Sequence, residues 1–147
     1  TINIGVEDPA DPSASPVGQY VRGTNLYADL KFKMDFNIQF DNFTTVSLDV
    51  YVPSTNDYNG LDKSIMIWIA DAHTTTEFWN SWVQYLVPSE DVVEDEWVTY
   101  TFQLDEPSEG SVGHPLERTD LDLVGLTIGG GGHDTDATFY IRNFVFE

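Results

Sequence analysis

The sequence predicts an all-β protein, a two-layer antiparallel β-sandwich of the jelly-roll type, and three observations predict it. Apolar and polar residues alternate with a period of two in many short runs. Gly, Pro, Asn and Asp separate these runs, and no stretch keeps the 3.6-residue period of a helix. Short strands with one apolar face each are typical of antiparallel sheets that pack around a shared core.

The candidate strands follow one another along the chain. Apolar side chains occupy every second position from Val46 to Val52, and the same pattern recurs at Ile65–Ile69 and at Val98–Leu104. Alternate side chains lie on opposite faces of a strand, so each run offers one face to the core. The other predicted strands are Gln19–Arg22, Asp29–Met34, Ser81–Val87, Leu123–Ile128 and Thr138–Phe146.

Long polar connections join these strands. The prolines of Asp8–Val17 predict an extended lead-in without a helix. Three loops are long enough to carry functional residues: Pro53–Lys63, Asp105–Asp120 and Gly129–Asp136, the last of which reads GGGGHDTD.

Length and composition limit the function. The 147 residues fit one domain, residues 1–147, which we expect to be a module excised from a longer exported protein. With 25 acidic and 6 basic residues the formal charge is −19, which argues against nucleic acid and membrane surfaces as partners. Cysteine is absent, so disulfides are excluded. We expect a monomer, secreted or on the outer cell surface and tethered to a catalytic or other surface domain.

The segment Phe78–Val87, FWNSWVQYLV, carries the strongest indication of function. On a straight strand Trp79 and Trp82 would face opposite sides of the sheet, so one core cannot cover both. An exposed indole is a flat platform for the apolar face of a sugar ring, and the acidic chain favours an uncharged ligand. We therefore predict that both tryptophans contact a neutral polysaccharide, such as a β-glucan of the laminarin type or an agarose-like galactan.

Five further residues complete the predicted binding site. Trp68 and Tyr51 lie opposite the aliphatic stripes of their strands, which places them on outer sheet faces. The alternative for Trp68 is packing beneath a loop in a satellite cluster. Planar and charged side chains near the tryptophans are candidate hydrogen-bonding partners of sugar hydroxyls: Gln84, His73 and Glu77.

Three stretches resemble carbohydrate-binding modules attached to the polysaccharide-degrading systems of Bacteroidetes. The first comprises VEDP, DPS and GQYVR between Val6 and Arg22, the second is DEWVTYTF from Asp95 to Phe102, and the third is TFYIRNFVF from Thr138 to Phe146. The resemblance spans the whole domain. It implies a β-jelly-roll glycan-binding module without catalysis, belonging to an extracellular enzyme or a surface glycan-binding protein, with Trp97 in a packing role.

The resemblance also raises the question of a structural calcium ion. Related modules often hold calcium between an early acidic residue, here Glu7, and an aspartate of the final strand, where this chain has Arg142. A guanidinium would repel the ion, so we predict that Arg142 pairs with Glu7 or a nearby acid. Asp134 and Asp136 are the candidates for calcium bound elsewhere. No three histidines have the spacing of a zinc site.

Two other functions remain open at this stage. A small jelly-roll lyase or hydrolase would need two carboxyl groups across a cleft, and the acidic run Glu90–Glu96 is better explained as a solvated connection. A structural spacer domain would bury all four tryptophans.

Overall fold

The computed structural model describes residues 1–73, 77–132 and 135–147. Within these ranges it has nine strands in two antiparallel sheets, and the predicted sandwich is confirmed. The strands are β1 (Ile2–Val6), β2 (Val17–Arg22), β3 (Leu30–Lys33), β4 (Thr45–Tyr51), β5 (Ile65–Ala70), β6 (Val83–Val87), β7 (Trp97–Gln103), β8 (Leu123–Ile128) and β9 (Ala137–Phe146).

The two sheets differ in size. One has five strands in the order β1-β2-β9-β4-β7, and the other has four in the order β3-β8-β5-β6. Successive strands often change sheet, as in a jelly roll, so residues distant in the chain meet on one face. Within the described residues, no helix is long and apolar enough to cross a membrane.

The core lies between the sheets and follows the alternation of the sequence. The even-numbered side chains Val46, Leu48 and Val50 of β4 face inward, where they meet Ile65 and Ile67 of β5. These aliphatic side chains are almost completely buried, and each fully buried one contributes roughly 1.5–3 kcal/mol. Because they fill the core, the other face of each strand is free to carry polar and aromatic groups.

Two departures from the predicted strands affect the site. β1 was not predicted, and it pairs with β2 at the edge of the larger sheet. The predicted strand Ser81–Val87 begins only at Val83, because a 3₁₀ turn, Phe78–Asn80, precedes it. That turn changes the direction in which the two nearby tryptophans point.

Candidate ligand-binding cleft

A cleft of about 850 Å³ lies on the outer face of the four-stranded sheet. Side chains from β3, β5, β6 and β8 form its floor, and the segments Leu26–Asp29, Phe78–Trp82 and Gly130–Gly131 rise at its sides. Most of the exposed lining is apolar. The lining residues are Tyr27, Asp29, Lys31, Asp62, Ser64, Met66, Phe78, Trp79, Trp82, Leu86, Thr127, Gly130 and Gly131.

An aromatic stack supports the cleft from below. Trp68 lies on the outer face of β5, as predicted, but it is 0% exposed, because Phe78 and Trp82 cover it. The rings of Trp68 and Phe78 are stacked with centroids 4.7 Å apart. The predicted role of Trp68 as an exposed binding platform is therefore wrong in this structure. Its role is to carry the residues that line the cleft.

Trp79 and Trp82 line the same cleft. The expectation that they face opposite sides assumed a continuous strand, and the 3₁₀ turn Phe78–Asn80 breaks that assumption. Trp79 is 46% exposed, and Trp82 is partly buried against Trp68 with ring centroids 6.1 Å apart. Phe78 stands between them and meets Trp79 edge-on at 74°. The two indoles therefore offer one exposed and one half-covered surface to a ligand.

Tyr27 forms part of another side of the cleft, and the sequence analysis did not identify it. Its side chain is 77% exposed and lies against the backbone of Gly131, where an added Cβ would come within 3.3 Å of the ring. A tyrosine in the unpatterned segment between β2 and β3 gives no periodic signal. The run of glycines was noticed, but nothing in the sequence shows which aromatic ring it accommodates.

Arg22 holds the two loops at this end of the cleft together. Its guanidinium is fully buried and donates to the carbonyl oxygens of Leu26, Gly130 and Thr135 at 3.3–3.4 Å. Leu26 also accepts a bond from the Gly132 amide at 2.7 Å. Because Leu26 precedes Tyr27, these bonds fix the backbone that presents the tyrosine.

A few polar groups interrupt the apolar lining. Thr127 donates to Asp29 Oδ1 at 2.6 Å, and Lys31 Nζ lies 3.7 Å from Asp29 Oδ2 and 4.2 Å from the Phe78 ring centroid. Asp62 accepts bonds from the backbone amide and the hydroxyl of Ser64. The cleft thus combines broad aromatic surface with a small number of oriented donors and acceptors.

The remaining predicted site residues lie outside this cleft. Gln84 is on the same outer face, but its amide donates to the Glu109 carbonyl oxygen and is covered by that loop. Glu77 is exposed and accepts a bond from Asn80 at 2.8 Å. His73 points to a separate, smaller cavity. Tyr51 lies on the opposite sheet, packed against Trp97 and Tyr140.

Arg142 pairs with acidic residues, as predicted, although Asp8 takes the place expected for Glu7. Its Nη1 donates to Asp8 Oδ2 at 2.9 Å, and its Nε donates to Asp49 Oδ2 at 3.1 Å. The guanidinium also lies 4.1 Å from the ring of Trp97, whose Nε1 donates to Asp8 Oδ1. Glu7 itself is exposed. The residues present do not fit a calcium ion here, because a cation of the protein already occupies the space between the carboxylates.

Burial and hydrogen bonding have opposite effects on these two carboxyl groups. Burial tends to raise the pKa of Asp8, but the bonds from Trp97 and from two backbone amides, together with the Arg142 charge, outweigh it and lower the pKa. Burial likewise opposes a low pKa at Asp49, and the bonds from Thr99, Asn143 and Arg142 again lower it. Both groups therefore carry their charge in the folded protein at neutral pH.

The other predicted calcium ligands do not form a site that the structure describes. Asp136 is exposed, and Asp134 lies outside the described residues, as does the neighbouring His133. A different group of side chains, Asp71, His73 and Asp122, brings its ligand atoms within 4.8 Å of one another and could hold a metal ion.

Comparison with known proteins shows similarity in fold. No protein-family model and no curated protein matches the sequence. A family 11 carbohydrate-binding module from Clostridium thermocellum, solved with a β-1,3-1,4-mixed-linked tetrasaccharide, has a TM-score of 0.59 at 12% identity, covering 99% of this chain and 81% of the module. A family 28 module specific for non-crystalline cellulose has a TM-score of 0.57 at 14% identity, covering 99% and 79%.

An exo-β-agarase has the same fold in one part of its chain. The TM-score is 0.64 at 10% identity, and the match covers this entire chain but 22% of the agarase. The class defined by these comparisons is the β-sandwich fold of carbohydrate-binding modules, found both as separate modules and inside larger enzymes.

Proposed function

We propose that this protein is a non-catalytic carbohydrate-binding module that holds a neutral polysaccharide in the cleft lined by Trp79, Trp82 and Tyr27. The observation that carries the proposal is that two tryptophans from one turn, and a tyrosine from a separate loop, line one solvent-open cleft. Sugar rings stack on aromatic planes, and each such contact contributes roughly 1–3 kcal/mol by analogy with base stacking.

The charges of the cleft favour an uncharged ligand. Asp29 and Asp62 contribute two negative charges and Lys31 one positive charge, on a protein whose formal charge is −19. Lys31 is also engaged by Asp29 and the face of Phe78. A uronate or sulfated polymer would meet net repulsion here, whereas hydroxyl groups can bond to carboxylate and ammonium alike. β-Glucans of the laminarin type and agarose-like galactans meet this requirement.

The arrangement of the lining supports binding rather than catalysis. Glycoside hydrolysis needs two carboxyl groups facing each other across the scissile bond, one of them in surroundings that keep it protonated. The two lining carboxylates, Asp29 and Asp62, each accept hydrogen bonds from a neighbouring hydroxyl, and Asp29 also lies beside Lys31. A spacer domain is disfavoured because Trp79 is 46% exposed.

Binding would serve a larger assembly. A module that holds a polymer raises the local concentration of any domain tethered to it. We place the protein, on this proposal, outside the cell or on its outer surface, where polysaccharides are met. A single cleft of this kind is expected to bind with a Kd on the order of 10–100 µM, or about −5.5 to −7 kcal/mol.

The direct test is calorimetry and affinity electrophoresis with laminarin, mixed-linkage β-glucan and agarose oligosaccharides. Trp79→Ala and Trp82→Ala should each weaken binding by about tenfold, which corresponds to about 1.4 kcal/mol. Phe36→Ala is the matched control, since Phe36 is an exposed aromatic residue that lines a different cavity. Failure to bind any neutral glycan, or equal losses in all three variants, would refute the proposal. Release of reducing ends or unsaturated products would instead identify an enzyme.

A further inference from the structure

Asp71, His73 and Asp122 form a cluster of metal-ligand atoms away from the cleft. Asp71 and His73 follow β5, and Asp122 precedes β8, fifty residues later in the chain. His73 Nδ1 lies 3.3 Å from Asp71 Oδ1 and 3.3 Å from Asp122 Oδ2. We propose that these three side chains form a binding site for a divalent transition-metal ion such as Zn²⁺.

The distances fit a shared ion better than hydrogen bonds. An N–H···O bond is normally 2.7–3.2 Å long, and a single ring nitrogen has one direction in which to donate. Here one nitrogen has two carboxylate oxygens at the same, longer distance. Ligand atoms bound tetrahedrally to zinc at about 2.0–2.2 Å are separated by roughly 3.3–3.6 Å. The observed separations agree with that geometry.

The charge of the cluster also calls for a cation. The Asp122 side chain is only 3% exposed, and its Oδ2 faces the imidazole of His73. A buried carboxylate is costly unless a positive group compensates it, and Asp71 adds a second negative charge beside it. Neutral imidazole does not compensate either charge, whereas a bound divalent ion compensates both.

Neighbouring charged groups leave the position available. Arg118 is close enough to interact with Asp71, but its donors are directed to Asp120 and to the carbonyl oxygens of Ser81 and Val112. Lys33 lines the adjoining cavity, together with Asp35, and its flexible stem allows the ammonium to stay in solvent. That cavity, about 260 Å³, reaches both His73 and Asp122 and has room for water to complete the coordination.

The ligand atoms are held in place by the backbone. Asp122 Oδ1 accepts the Ala72 amide and Asp71 Oδ1 accepts the His73 amide, each at 2.7 Å. The imidazole favours zinc, cobalt or nickel over calcium, which prefers a shell of oxygens. Sequence alone could not find this site, because one ligand comes from a loop at the other end of a strand pair.

The test uses the chelator-treated protein. Calorimetry with Zn²⁺, and thermal unfolding with and without Zn²⁺, should show one saturable site and a higher Tm, while Ca²⁺ should give neither. Co²⁺ should add a visible absorption band typical of tetrahedral ligation. His73 is 72% exposed, so His73→Ala should fold normally while losing about tenfold or more in Zn²⁺ affinity.

Two variants complete the experiment. Asp71→Asn removes a ligand charge without changing size and should also weaken binding. His114→Ala removes an imidazole from a separate loop and should bind Zn²⁺ like the parent protein. The proposal is overturned if no saturable binding occurs, or if His73→Ala binds as tightly as the parent, because the ion would then be held by other acidic groups.

Discussion

Trp68 and Gly125 are directly paired across β5 and β8, and the indole covers the glycine completely. A Cβ added at Gly125 would lie 1.9 Å from Trp68 Cε2 and 2.0 Å from Cζ2. The missing side chain therefore creates the space in which the buried tryptophan lies flat on the sheet. Phe78 stacks on the same indole, so the base of the cleft depends on this pair.

Gly125→Ala should displace Trp68 and the aromatic residues above it. Overpacking at this distance cannot be relieved by a small side-chain shift, and we expect a loss of about 3 kcal/mol in the free energy of unfolding. Urea unfolding measures this loss. Gly23→Ala is the control, because a Cβ there meets nothing within 4 Å. Equal stability of the two variants would contradict the role described for Gly125.

Tyr27→Ala tests whether the cleft binds from both sides. Tyr27 is largely exposed, so its removal should leave the Tm unchanged and weaken glycan binding by about threefold to tenfold, through loss of one stacking surface. Calorimetry with the best-bound glycan measures the change. If Tyr27→Ala binds normally while Trp79→Ala does not, the polymer contacts only the tryptophan side of the cleft.

Arg142→Ala should lower the Tm by roughly 5–10 °C, since it leaves the Asp8 and Asp49 carboxylates without their cation. Arg142→Lys should recover part of the loss, because lysine keeps the charge but cannot reproduce the guanidinium fork or its contact with Trp97. Differential scanning calorimetry gives the values. Lys63→Ala, which removes the partly exposed pair with Glu94, should change the Tm little. A similar Tm for Arg142→Ala and the parent would show that the network contributes nothing.

The same network predicts sensitivity to acid. The pKa values of Asp8 and Asp49 are lowered in the folded protein, so the folded state binds fewer protons than the unfolded chain near pH 3.8. Their contribution to stability is present above that pH and is lost as the pH falls through the lowered values. Chemical unfolding between pH 6 and pH 2 should show a steeper decline for the parent than for Arg142→Ala. Parallel curves would contradict this assignment.

The sandwich could be predicted because burial on one face leaves a direct record in the sequence. Leu123–Ile128 matches β8 at both ends, and the alternation around Val50 and Ile67 correctly separates core from outer face. β1 was missed because its side chains are mostly exposed at a sheet edge, so no apolar alternation distinguishes it.

The site was only partly predictable. Trp79 and Trp82 were chosen correctly as cleft residues, but for a reason that fails, since a 3₁₀ turn and not a straight strand orients them. Tyr51 was placed on the right face of its strand, yet that face belongs to the other sheet. Which outer faces coincide is decided by strand order, and strand order depends on contacts between distant segments that periodicity does not record.

The position of Arg142 has a practical consequence. A positive charge that is covalently part of the chain cannot be extracted by EDTA or citrate, nor diluted away in fresh water. The junction among the segment after β1 and strands β4 and β9 therefore keeps its electrostatic balance whatever salts surround the molecule.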